Sequence, residues 1–458
     1  VPLNRRQFLI GATSAAAFAA KKPVERPNIL FILADDLAAW MLGCYGNKEI
    51  KTPNIDNLAR GGMRFANNFC CTPICSPSRA TLFTGRVPRQ HGIYDFLTPK
   101  PIENPPQGQE APPSSFAQEI MISDVLGKQG YNCGYVGKWH MGDDEHPKHG
   151  FQYTSTMPGG SGPYRDPQLS TNGKLAKEEG YSTDLMTQHA CSFLDQQKAD
   201  KPFFLTIGYQ NPHTPYEGHP QKDYDMYSKT IFDTFGWERA APNALREKEM
   251  LKDIVGNIRK CAASTTALDD QIPVLLRKLQ ERGLRDNTLI IFAGDNGYLL
   301  GRHGLWSKGL ASDPINMYEE VMRVPMIWNW PGKLPTEYVV PDLVSFYDVM
   351  PTLCEITDSP LPEGRKLCGR SYAPIAMREK LPKKQPWKQM VFGHFRNTEM
   401  VRDTRYKLVL RNDGKGPNEL FDISNDPRET TNQYDNAQFI TVRDALDREL
   451  AAWRQRTS

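Results

Sequence analysis

Cys71-Thr72-Pro73-Ile74-Cys75-Ser76-Pro77-Ser78-Arg79-Ala80-Thr81-Leu82-Phe83-Thr84-Gly85-Arg86 is the stretch from which the rest of the chain is read. Ser76 is a favourable N-cap, Pro77 suits a first helical position, and Ala80 to Phe83 continue a helix-forming run. A helix is therefore expected to open beside Cys75. Free backbone N–H groups and the helix dipole attract anions at such an opening, and an ordinary thiol there is expected to have a lowered pKa. A lone cysteine in this setting reads as a buried capping residue. The full Cys-x-Pro-Ser-Arg string, followed by Thr84-Gly85-Arg86, reverses that reading.

Working outward, several short apolar runs end abruptly in polar residues, as parallel strands do when they deliver side chains to one edge of a buried sheet. Asn28 to Ala34 ends at Asp35-Asp36, and Asn132 to Val136 ends at Gly137-Lys138-Trp139-His140. Phe203 to Gly208 leads to Asn211-Pro212-His213, and Thr288 to Ala293 leads to Gly294-Asp295-Asn296-Gly297. Helical patterns lie between them at Ile120 to Lys128, Tyr181 to Gln197 and Ile254 to Arg282. The alternation predicts an α/β fold with a mostly parallel sheet between helices, so that all four polar clusters meet in one crevice at the strands' carboxyl ends.

Asp35, Asp36, Asp295 and Asn296 supply oxygen donors without thiols or imidazoles, a set that suits Ca²⁺ better than Zn²⁺. Taken singly, an Asp-Asp pair after a strand is a solvated turn or cap, and Asp-Asn-Gly a common turn. Sharing a sheet edge with the Cys75 segment changes that weight.

These motifs, in their order along the chain, resemble those of the type I sulfatases of the alkaline phosphatase-like superfamily. The resemblance runs from Arg26-Pro27-Asn28 to Glu419-Leu420-Phe421-Asp422. It implies that Cys75 is oxidised to formylglycine (3-oxoalanine) by a formylglycine-generating enzyme, and that the hydrate attacks sulfur. It also implies that Asp35, Asp36, Asp295, Asn296 and the modified Cys75 bind Ca²⁺, and that Arg79 anchors the hydrate with Lys138 and His140 flanking it. By the same match His213 contacts the sulfate ester and Lys308 binds sulfate on the leaving-group side. Lys138, His213 and Lys308 would thus serve both catalysis and substrate binding. His140 is the first choice for the base that deprotonates the second hydroxyl of the hydrate, and His303 is expected to touch substrate at the pocket border. Charge of this kind aimed at a transferring sulfuryl group lowers its barrier. Cys70 and Cys71 read as buried neighbours, and His91, His149, His219 and His394 as structural or solvent-exposed.

The rest of the chain bounds the reading. Its 458 residues can bury a substantial core. With 56 basic and 53 acidic residues the net charge is +3, which implies no polyelectrolyte partner, and no basic stripe points to nucleic acid. Arg5-Arg6-Gln7-Phe8-Leu9, ahead of a mildly apolar run to Ala20, looks like a twin-arginine export signal over residues 1–20, too short for a membrane span. It predicts passage through the twin-arginine machinery to the periplasm or beyond. Nine unpatterned cysteines argue against a disulfide framework. A catalytic domain is expected over 24–380, a Pro- and Lys-rich linker near 381–388, and a small C-terminal α+β subdomain over 389–458. There, three antiparallel strands are backed by a helix presenting Phe439, Val442, Leu446, Leu450 and Trp453. Two long loops, 94–115 and 214–243, read as substrate walls; the second carries Tyr216, Tyr224, Tyr227, Phe232, Phe235 and Trp237, which suit either sugar stacking or packing of the loop on itself. The expected activity is hydrolysis of a sulfate ester, on a sulfated carbohydrate or a small sulfate monoester. A phosphonate monoester or phosphodiester hydrolase with the same nucleophile, and a silent sulfated-glycan-binding protein, are the alternatives.

Overall fold

Period-two alternation gives the central strands an apolar layer on each side. Along the first strand, Ile29, Phe31 and Leu33 enter one core while Leu30, Ile32 and Ala34 enter the other. The computed structural model describes residues 26–97, 116–198, 200–381, 386–412, 414 and 416–458. The expected export signal at 1–20 lies outside these described residues, as do 98–115 of the first long loop and 382–385 of the linker.

Ten strands form the main sheet: β1 (Asn28–Ala34), β2 (Met63–Phe69), β3 (Asn132–Gly137), β4 (Tyr153–Thr156), β5 (Gln168–Thr171), β6 (Lys174–Lys177), β7 (Phe203–Gly208), β8 (Thr288–Gly294), β9 (Met326–Asn329) and β10 (Tyr338–Ser345). Their order is β10-β2-β9-β8-β1-β7-β3-β4-β5-β6. β8, β1, β7, β3 and β4 run parallel, as do β10 and β2, whereas β9, β5 and β6 pair antiparallel with their neighbours. The fold is thus the mixed, mostly parallel sheet that the alternation predicts. Because β1, β3, β7 and β8 are adjacent and co-directional, the polar residues after each strand emerge along one edge.

One local expectation changes, and for the aromatic loop one of the two open readings holds. The helical pattern over 254–282 is two helices, Ile254–Asp269 and Ile272–Glu281, broken at Asp270-Gln271. Asp269, the last residue of the first, accepts the backbone N–H groups of Asn54 and Ile55 and so ties it to the helix Pro53–Arg60. The aromatic loop packs on itself: Tyr216, Tyr227, Phe232 and Phe235 are buried, with the Phe232 and Phe235 rings 4.9 Å apart.

A second sheet, β11 (Val391–Phe395), β12 (Thr398–Arg402), β13 (Tyr406–Arg411) and β14 (Glu419–Asp422), is antiparallel throughout. The helix Ile440–Thr457 lays Leu446, Leu450 and Trp453 on it, Trp453 stacking on Phe392 at 5.2 Å. The buried ammonium of Lys407, on β13, meets Glu319 and the carbonyl of Met317 from the main body and Glu429 from the stretch after β14. No helix among the described residues is long and apolar enough to cross a membrane.

Candidate active site

β2 runs into the helix Cys75–Thr84, whose every residue is buried. This helix starts two residues earlier than its sequence suggests. Ile74 is the N-cap, and Ser76 instead accepts the N–H of Leu97 through its hydroxyl at 3.0 Å, pinning the following loop against the helix start. Cys75 therefore sits at the first turn, facing a cavity of about 290 Å³.

Every cluster expected at the sheet edge meets there. Asp35 and Asp36 follow β1, Lys138 and His140 follow β3, His213 follows β7, and Asp295 and Asn296 follow β8. Lys308 arrives from the loop beyond and donates to the Cys75 sulfur at 2.9 Å and to Asp36. Lys138 donates to Asp35 Oδ2 at 2.6 Å. The Arg79 guanidinium, on the Cys75–Thr84 helix, bonds Asp295 Oδ2 through Nε at 2.8 Å and the Lys138 carbonyl through Nη1 at 2.6 Å. His213 Nε2 lies 3.8 Å from Asp36 Oδ2.

The charges shape one another. Burial pushes the Cys75 thiol up to about 11 against the pull of Lys138 and Lys308, so the lowered value expected from helix position alone is overturned by desolvation. An unmodified Cys75 is a protonated, weakly nucleophilic thiol at neutral pH. Burial disfavours the Asp35 carboxylate, but Lys138, His213, Lys308 and Arg79 together hold it well below its usual range. Burial and the neighbouring Asp35 push Asp295 up to about 6. Burial would lower Lys138, yet Asp35 and Cys75 raise it above the ordinary lysine value, and Asp36 and Cys75 do the same for Lys308.

His140 is set apart by its hydrogen bonding. Nε2 lies 2.8 Å from the Leu97 carbonyl, which can only accept, so Nε2 carries the proton. Nδ1 is then the basic nitrogen, and it has no partner among the described residues. Burial, reinforced by Lys138, holds the ring well below the ordinary histidine value and hence neutral at pH 7. Gly160, at φ 74°, backs the ring so closely that a Cβ there would lie 2.4 Å from His140 Cδ2.

The oxygen donors are suited to a cation. Carboxylate oxygens of Asp35, Asp36 and Asp295 come within 4.8 Å of one another. Asp35 Oδ1 and Asn296 Oδ1 are buried with no hydrogen-bond partner among the described residues. Orphaned, fully buried oxygens of this kind are costly unless something positive meets them, and an all-oxygen set fits a hard divalent ion. A second group, Asp35, Cys75 and His213, has its ligand atoms equally close. Arg79 Nη2 is likewise buried and unspent.

His303 is placed elsewhere. Its ring stacks on Tyr318 with centroids 3.8 Å apart and pairs with Glu320 at 3.3 Å, so it is absent from the cavity lining, and the expected substrate contact is not supported. Phe96 and Leu97, from the 94–115 loop expected as a substrate wall, line the cavity, whereas sequence reading missed Ser161, Arg246, Glu247 and Leu310 and gave no role to Ser307 beside Lys308. It also missed Tyr135, which reaches Arg79 and the Lys138 carbonyl, and Asp144, which accepts the His140 N–H at 2.7 Å. Only Ser307 falls within a stretch read as a motif, the one that carries Lys308.

Comparison with known proteins fits this geometry. The sulfatase family model matches residues 27–359, and the model described as N-sulphoglucosamine sulphohydrolase, C-terminal, matches 301–456. Among similar proteins is an N-acetylglucosamine-6-O-sulfatase of Bacteroides thetaiotaomicron, 26% identical over 92% of this chain and 84% of that protein. A solved structure of a protein in complex with its substrate D-glucosamine-2-N,6-O-disulfate superposes with TM-score 0.80 at 24% identity, covering 94% of this chain and 98% of the other. Another, in complex with k-i-k-neocarrahexaose, gives TM-score 0.73 at 28% identity over 94% of each chain.

Proposed function

The chain belongs to the sulfatase family, the sulfuric ester hydrolases, and on that premise we propose that it hydrolyses a sulfate ester on a carbohydrate, with formylglycine at position 75 and Ca²⁺ among Asp35, Asp36, Asp295 and Asn296. The observation that carries this reading is the gathering around Cys75 of Lys308, Lys138 and Arg79 beside three clustered carboxylates, with Asp35 Oδ1 and Asn296 Oδ1 buried and unspent. The carbohydrate substrate is supported by the sugars named for similar proteins.

Formylglycine supplies a hydrated aldehyde as nucleophile, and Ca²⁺ supplies fixed positive charge beside the sulfuryl oxygens. The chain's own residues do the rest. Arg79, locked by Asp295 and the Lys138 carbonyl, keeps its buried Nη2 unspent and available to the modified side chain at position 75. Lys138 and Lys308, both kept charged by their carboxylates, offset the negative charge that gathers on the sulfuryl oxygens. His213 and Lys308 are the groups able to protonate the leaving alcohol oxygen. His140, neutral with Nδ1 free, takes up the proton when sulfate departs. The balance is sulfate ester plus water giving alcohol, sulfate and a proton. The Arg5-Arg6-Gln7-Phe8-Leu9 stretch supports an export route by the twin-arginine machinery to the periplasm.

The reading is tested by release of inorganic sulfate from a panel of sulfated mono- and oligosaccharides, set against matched phosphonate monoesters. Strong preference for sulfate is expected. Preference for phosphonate would replace the proposed substrate class, and binding without turnover by fully modified protein would make this a glycan-binding protein.

A further inference from the structure

The cations deep in the cavity are spoken for: Lys138 by Asp35, Lys308 by Asp36 and Arg79 by Asp295. Arg246 lines the same cavity but makes no ion pair with any of the described residues; its guanidinium lies over the Phe96 ring, 4.8 Å from the centroid. Asp95, which feels its charge, is already held by Arg396. An aromatic face supports a guanidinium without consuming its in-plane N–H donors, so those donors stay available.

The backbone fixes where Arg246 stands. The next residue, Glu247, adopts φ 54°, a conformation that residues with a Cβ rarely take. It is held there by its half-buried carboxylate, which accepts from Thr214 Oγ1 at 2.9 Å, from the Tyr298 hydroxyl and from Ser307. Thr214 adjoins His213 and Ser307 adjoins Lys308, so the strained turn that carries Arg246 is bolted to two residues facing the nucleophile. Phe96, Leu97 and Leu310 supply an apolar wall beside it.

We propose that Arg246 is a specificity-determining residue that receives a second anionic group, a carboxylate or a further sulfate, borne by the same substrate as the ester being cleaved. A guanidinium forks onto either oxyanion with two parallel N–H···O bonds. The enzyme then prefers substrates with at least two negative charges, one at the nucleophile and one at the wall. This rests on the sulfatase reading above.

The test compares kcat/KM of the modified wild type, Arg246→Ala and Arg246→Lys on three probes: a monosulfated hexosamine, its disulfated counterpart, and a monosulfated disaccharide carrying a uronate. Wild type is expected to favour one or both dianionic probes, and which one identifies the second group. Arg246→Ala should lower the dianion-to-monoanion ratio by about 10- to 100-fold, the worth of a charged hydrogen-bonded pair, mostly through KM. Arg246→Lys should restore part of it, having the charge without the fork. A wild type indifferent to the second charge, or a ratio unchanged in Arg246→Ala, would overturn the role of Arg246 while leaving the sulfatase reading intact. Failure of the wild type to release sulfate from any probe or from the wider panel would sink that reading and this inference with it.

Discussion

His140 shows how one residue's surroundings set its chemistry. The Leu97 carbonyl fixes its tautomer, and burial beside Lys138 keeps it unprotonated. A lowered pKa keeps the basic form populated to more acidic pH. The acid limb of kcat should therefore fall below the ordinary histidine value of about 6.5, and it is read from a pH profile of sulfate release. His140→Ala should cost about 10²- to 10⁴-fold in kcat, the usual worth of a positioned base, with far-ultraviolet circular dichroism unchanged. Asp35 offers a second residue-level test, since its Oδ1 is unspent and buried. Added Ca²⁺ should raise the melting temperature of the wild type, by about 3 kcal/mol of stabilisation at a hundredfold excess over Kd, and leave Asp35→Ala unmoved.

The turn Pro158–Gly160 is an element whose role was invisible in the sequence. Gly160 is at φ 74° and its missing Cβ is the space the His140 ring occupies. Gly160→Ala should push that ring aside and cost on the order of 10²-fold in activity, as misplacing a catalytic group does. Combined with His140→Ala it should add little, because both changes act on one group. The elements legible in advance were those whose periodicity or punctuation is strong. β1, β7, β12 and β13 lie where their apolar runs place them, and the polar residues after β1, β3, β7 and β8 converge because adjacent parallel strands end on one side. Less could be read where contacts are made by single side chains from distant loops. Arg246 and Glu247 sit in an irregular stretch with no periodicity, and their place at the cavity follows from hydrogen bonds to Thr214, Tyr298 and Ser307 that no local pattern encodes. His303 lies in the same stretch as Lys308, four residues before Ser307, the first cavity-lining residue there, and its ring turns to Tyr318 and Glu320.

Over the whole molecule, the C-terminal sheet is joined to the main body by buried charge. Lys407 is fully buried against Glu319 and Glu429, and burial pushes Glu429 up to about 8. Lys407→Met leaves Glu429 without its ion pair and Glu319, among the described residues, with only the longer contact to Arg402, and should destabilise the protein by about 3–5 kcal/mol, measured by denaturant unfolding, without altering KM in the fraction that remains folded. All these expectations presuppose the modified residue at the centre of the site. Its presence is tested most directly by the mass of the tryptic peptide Phe65–Arg79 from protein made together with a formylglycine-generating enzyme. The account predicts a peptide that has lost sulfur and gained an aldehyde at Cys75, in the same preparation that releases sulfate. An intact thiol at Cys75 in protein that still releases sulfate would contradict it.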